Sequence, residues 1–179
     1  MSIELLANQG RDRVYGGLAA VDSSKLRQMR DKALRNCFTR LEETDFRMEY
    51  VARIYGKEFI NDAAGRSVNA TWYALQNTEG GIIWIAIGGD NDADYSRLRP
   101  MVLRKVHLLI CVGGDSRNLH ETFKDVVPEI RDVDSIGEAV HCACYSMPED
   151  AKVVFSPATR HGLSDEELGQ LFRHEVNEL

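Results

Sequence analysis

The sequence predicts an α/β domain, a three-layer sandwich around a mostly parallel, Rossmann-like sheet, with an N-terminal helical extension. Two observations carry this. Ile82–Ile87 and Val106–Val112 are continuous apolar runs of strand length, as expected of strands buried on both faces. Expected strands start at residues 82, 106, 129 and 152, and amphipathic helical stretches lie between them. That alternation implies βαβ units and parallel pairing. Residues 46–179 are read as the domain and 1–45 as the extension.

The elements follow in order. Asp22-Ser-Ser offers a helix N-cap, and Leu26, Met29, Ala33, Leu34, Cys37, Phe38 and Leu41 recur at helical spacing over 25–41. Arg47–Tyr55 alternates as a half-exposed strand, Gly56-Lys57 turns, and Glu58–Asn61 returns as the second arm of a hairpin. Asp62–Ser67 is a small polar loop ahead of a helix over 68–77. Gly88–Asp94 is the loop after the strand at 82–87, and Tyr95–Lys105 is expected as one helix with Pro100 near its first turn. Gly113–Ser116 turns into a helix running through Asp125. Glu129–Val133 is a strand, and Asp134-Ser135 caps a helix from Ile136 to about Met147. Lys152–Phe155 is the last strand. Ser164-Asp-Glu-Glu167 is a capping box that opens the final helix. Function is expected in the loops at the carboxyl ends of the strands, 62–67, 88–94, 113–116 and 156–162.

Composition excludes several classes. The chain has 179 residues with net charge -6, and it has no basic stripe, so nucleic acid is not an expected partner. No apolar run approaches the ~18 residues of a membrane span, and residues 1–13 lack the hydrophobic segment of a signal peptide, so a cytoplasmic location is expected. Cys37, Cys111, Cys142 and Cys144 lie in apolar patterns and read as reduced core residues. Cys142-Ala-Cys144 beside His141 has no second ligand pair at zinc spacing. Asp90–Asp94 lacks the glycine and glutamate of a calcium loop and reads as a solvated turn with a helix cap. No metal is expected. Gly88-Gly89 and Gly113-Gly114 read as tight turns. His107, His120, His141 and His174 read as packing or surface residues.

Several stretches taken together resemble one family. They are Phe46–Val51, Phe59–Asp62, Ser67–Leu75, Trp84–Asp90, Asp94-Tyr95, Val106–Gly113, Asp134-Ser135 with Glu138–Val140, and Phe155–Ala158. They resemble the C-terminal domain of Mur ligases, in its D-glutamate-adding form, over residues 46–179. Residues 18–45 resemble the helical tail of the preceding central domain. The resemblance implies an ATP-dependent ligation of an amino acid to a UDP-muramoyl precursor through an acyl phosphate. It also implies that the P-loop, the magnesium ligands and a carbamylated lysine sit in a central domain, and residues 1–45 hold no Gly-Lys-Ser/Thr.

Arg47 matches the arginine that the family offers to the nucleotide. The family's Asp-Ser-Lys-Ala-Thr-Asn loop reads Asp62-Ala-Ala-Gly-Arg-Ser67 here, with Ala63, Ala64 and Arg66 in the serine, lysine and threonine places. Residues 88–94 hold no lysine, and the Ser-Pro-Ala-x-x-Ser ending reads Ser156-Pro-Ala-Thr-Arg-His161. Losing cations from an anion site forfeits charge-assisted bonds of roughly 1.5–3 kcal/mol each. The expectation is a non-catalytic binding or regulatory module with no catalytic residue, no metal and no cofactor. Its ligand-binding candidates are Arg47, Asp62, Arg66, Asp90, Ser156, Arg160 and His161. Its expected partner is another protein, or a second copy joined as a dimer through the helix at 25–41. The alternatives are a subunit or fragment of a ligase completed by another chain, which would bring ATP and Mg, and a small-molecule or nucleotide-binding protein.

Overall fold

The computed structural model describes residues 46–160 and 162–179. The extension at 1–45, its helix at 25–41, and His161 lie outside the described residues. The elements are β1 (Glu49–Ile54), β2 (Lys57–Asn61), α1 (Val68–Asn77), β3 (Ile82–Ile87), a 3-10 turn (Tyr95–Leu98), α2 (Arg99–Lys105), β4 (Val106–Val112), α3 (Arg117–Phe123), β5 (Glu129–Val133), α4 (Ile136–Cys144), β6 (Lys152–Phe155) and α5 (Asp165–Asn177).

The sheet runs β1-β2-β6-β3-β4-β5. β1 pairs with β2 antiparallel, and the other pairs are parallel. The runs at 82–87, 106–112 and 152–155 are therefore adjacent and parallel, as their apolar content predicts. Every residue of β3 is buried. Alternation along the strands divides the core into two faces. Ile83, Ile85, Leu108 and Ile110 pack with Ala139 and Val140 of α4 and with Leu168 and Phe172 of α5. Trp84, Ala86, Leu109 and Cys111 pack with Leu75 of α1, Met101 and Val102 of α2, and Leu119 and Phe123 of α3. Each large side chain buried this way stabilises the fold by about 1.5–3 kcal/mol. Phe155 stacks on Phe172 at 4.9 Å, and Trp84 meets Phe123 edge-on at 5.5 Å.

Three expected helices change at their ends. The segment 95–105 is a 3-10 turn followed by α2, because Pro100 sits in the first turn of α2 and supplies no backbone donor there. The helix expected to run through Asp125 ends at Phe123. The one expected to reach Met147 ends at Cys144, since Pro148 disfavours helical backbone at the residue before it. The capping box of α5 forms: Ser164 Oγ accepts from Glu167 N, and Glu167 Oε2 accepts from Ser164 N.

Candidate functional site

Parallel pairing of β2 with β6 places Asn61 opposite Phe155, so the next residues, Asp62 and Ser156, emerge side by side. Asp62 N donates to Phe155 O at 2.8 Å, and Ser156 Oγ donates to Asp62 Oδ2 at 2.8 Å. The hairpin brings Arg47 to the same end of the sheet. Its Nη1 donates to Asp62 Oδ1 at 2.6 Å, and its Nη2 donates to Ala70 O in the first turn of α1 at 3.2 Å. Met48 N donates to Asp62 Oδ1 at 3.3 Å. The Thr71 and Ser156 hydroxyls lie 2.8 Å apart, and Trp84 Nε1 donates to Ser156 O at 2.9 Å.

This cluster is dry. Asp62, Thr71 and Ser156 are fully buried, and Arg47 is 6% exposed. Burial pushes the Asp62 carboxyl up to about 7, against the opposing pull of the Arg47 charge and of the Ser156 and Met48 donors. Gly65 closes the cluster from above. A Cβ at Gly65 would lie 2.2 Å from Asp62 Oδ2 and 2.3 Å from Ser156 Oγ, so the position needs its space rather than an unusual backbone. Ser156, reached by no solvent and donating to a carboxylate, is not placed as a nucleophile. The arrangement holds β1, β2, β6 and α1 together at the loop end of the sheet.

The other candidates lie apart from this cluster. Arg66 pairs with Asp165 at the start of α5, 2.9 Å away and partly exposed. Asp90 accepts from Thr159 Oγ1 at 3.1 Å, while Asn118 Nδ2 donates to the carbonyls of Asp90 and Ala93. Beside them, burial first and the Asp90 charge second push the Tyr95 hydroxyl up to about 12. Arg160 is exposed. Asp94 caps the 3-10 turn by accepting from Ser96 N, as read from the sequence. The two glycine pairs serve each other: a Cβ on Gly88 would meet Gly113 O at 2.5 Å. Asp115 lies in the exposed loop after β4, and its hydrogen bonds from Arg117 and then Asn91 hold its carboxyl well below the usual carboxylate range.

Sequence reasoning missed Gly65 and Thr71 as parts of the cluster, although the first is the one glycine of its loop and the second lies in the helix the loop feeds. It also missed a group assembled only in three dimensions. Ligand atoms of Cys111, His120 and Asp132 all lie within 4.8 Å of one another.

No family model matches the chain. Relatives do. The UDP-N-acetylmuramoylalanine–D-glutamate ligase of Porphyromonas gingivalis is 33% identical over 98% of this chain and 40% of its own length. The ligases of the same name from Christiangramia forsetii and Bacteroides fragilis are 33% and 31% identical, over 86% and 100% of this chain and 34% and 41% of their own lengths. The chain thus spans about 40% of the length of the first of these ligases. Among solved structures, the murein peptide ligase of Psychrobacter arcticus superposes with a TM-score of 0.52 at 11% identity, over 75% of this chain and 30% of its own. The UDP-N-acetylmuramate–alanine ligase of Thermotoga maritima gives 0.50 at 12% identity, over 74% and 30%. These structures bear on the fold, and the ligases of known sequence bear on descent. The chain carries a Mur ligase domain, with the α/β fold of the C-terminal part of such ligases.

Proposed function

We propose that this domain is a non-catalytic binding or regulatory module linked to peptidoglycan precursor metabolism. The observation that supports it is the closure of Arg47, Asp62, Thr71 and Ser156 on one another, which turns inward the groups that an anionic ligand would contact. The lysine-free loops at 62–67 and 88–94 point the same way. Its partner is another protein or a second copy, engaged through the apolar stripe at 25–41. Met29→Asp with Leu34→Asp should then convert a dimer to a monomer in light scattering, and a wild-type chain monomeric at high concentration rejects self-association.

A second reading keeps the domain as a piece of a D-glutamate-adding ligase completed by another polypeptide segment. It is favoured by 33% identity to such a ligase over 98% of the chain. The two readings part on one assay. The purified chain is mixed with ATP, magnesium, UDP-N-acetylmuramoylalanine and D-glutamate, alone and with an added central domain of a related ligase. The module reading predicts no phosphate release in either mixture. Turnover that appears on adding the central domain establishes the ligase reading in its place.

A further inference from the structure

We propose that Cys111, His120 and Asp132 form a site for a zinc-like divalent ion, separate from the loop cluster around Asp62. The fold itself builds it. Cys111 on β4 and Asp132 on β5 are register partners in neighbouring parallel strands, so their side chains leave the same face of the sheet. Helix α3 packs over that face and delivers His120, whose Nε2 lies 3.1 and 2.9 Å from the two Asp132 carboxylate oxygens. With the Cys111 Sγ, these donors all fall within 4.8 Å of one another. A thiolate, an imidazole and a carboxylate are the ligand types that zinc takes, and three of them leave a fourth, tetrahedral position.

Two further features fit an ion. Ser116 Oγ donates to Asp132 Oδ1 at 2.6 Å, the kind of outer contact that orients a ligating carboxylate. Cys111 forms the buried floor, while the His120 and Asp132 side chains are 38% and 57% exposed, so the mouth faces solvent and a water can fill the fourth place. On binding, the Cys111 thiol gives its proton to solvent and the sulfur bonds the metal, with no change of oxidation state. The ion would bridge β4, α3 and β5.

The test is titration of the full, chelator-treated chain with Co²⁺, followed by competition with Zn²⁺. The expected result is one ion per chain, with a sulfur-to-cobalt charge-transfer band in the near ultraviolet and the intense visible absorption of a four-coordinate ion. Cys111→Ser should abolish the charge-transfer band. His120→Gln and Asp132→Asn, at partly exposed positions that the fold tolerates, should each weaken binding more than about 100-fold, beyond the 10–100-fold typical of outer contacts. The proposal is overturned if no charge-transfer band forms, if it survives Cys111→Ser, or if the His120 and Asp132 variants bind as tightly as the parent.

Discussion

Two regions at the loop end of one sheet treat the same residue types in opposite ways. Where β1 begins and β2 and β6 end, Arg47, Asp62, Thr71 and Ser156 are sealed from water and bonded to each other. After β4 and within β5, Asp115, Arg117, His120 and Asp132 form their pairs in contact with solvent. A charge in the dry region has no water to fall back on, so its partner becomes a condition of folding. A charge in the wet region exchanges its partner for water or an ion at small cost.

The largest break in this contrast should come from Asp62→Ala. It leaves the Arg47 guanidinium buried without its carboxylate, a change that costs about 3–5 kcal/mol. Urea denaturation should show the midpoint falling accordingly. A midpoint within error of the parent would put Asp62 outside the structural network. Gly65→Ala should come next. The new methyl group collides with Asp62 and Ser156 in a region without slack, and overpacking of this kind costs about 1–3 kcal/mol.

Acidity sharpens the comparison further. The Asp62 carboxyl has an ordinary value of 3.8 when unfolded and one raised to about 7 when folded. Between those values the folded state holds the extra proton. Its contribution to stability is therefore complete below about 4 and is lost as pH rises through about 7. Denaturation at pH 5 and pH 8 should show the parent gaining stability at pH 5 relative to Asp62→Asn. Parallel behaviour of the two proteins would mean that Arg47 keeps Asp62 ionised throughout. The smallest effect belongs to the wet region: Asp115→Ala, which removes a partly exposed carboxylate bonded to Arg117 and Asn91, should shift the denaturation midpoint least.

The sheet was legible because strands such as Ile82–Ile87 are apolar throughout and admit only a two-sided burial. Helix starts were legible where Ser135 and Ser164 cap them. Helix ends were less so: neither the break at Leu98 nor the stop at Cys144 departs from the local apolar period, and both become visible only through the prolines near them. The polar cluster was half legible. The residue types and the family resemblance pointed to Arg47, Asp62 and Ser156, but their burial depends on how β1 folds back and on what covers the loop, and neither is written in local spacing. Cys111, His120 and Asp132 lie 9 and 12 residues apart in the chain and become neighbours only through the β4–β5 register and the packing of α3 over it. No motif scan over short windows brings them together.

The central claim is that the Arg47–Asp62 pair holds the fold rather than a ligand. A double-mutant cycle with Arg47→Met and Asp62→Leu, read by urea denaturation, tests it most directly. Each single variant should lose about 3–5 kcal/mol, and the paired apolar replacement should recover most of that loss, because neither charge is then left stranded. Single variants that keep the parent's stability, with losses that simply add in the pair, would contradict it.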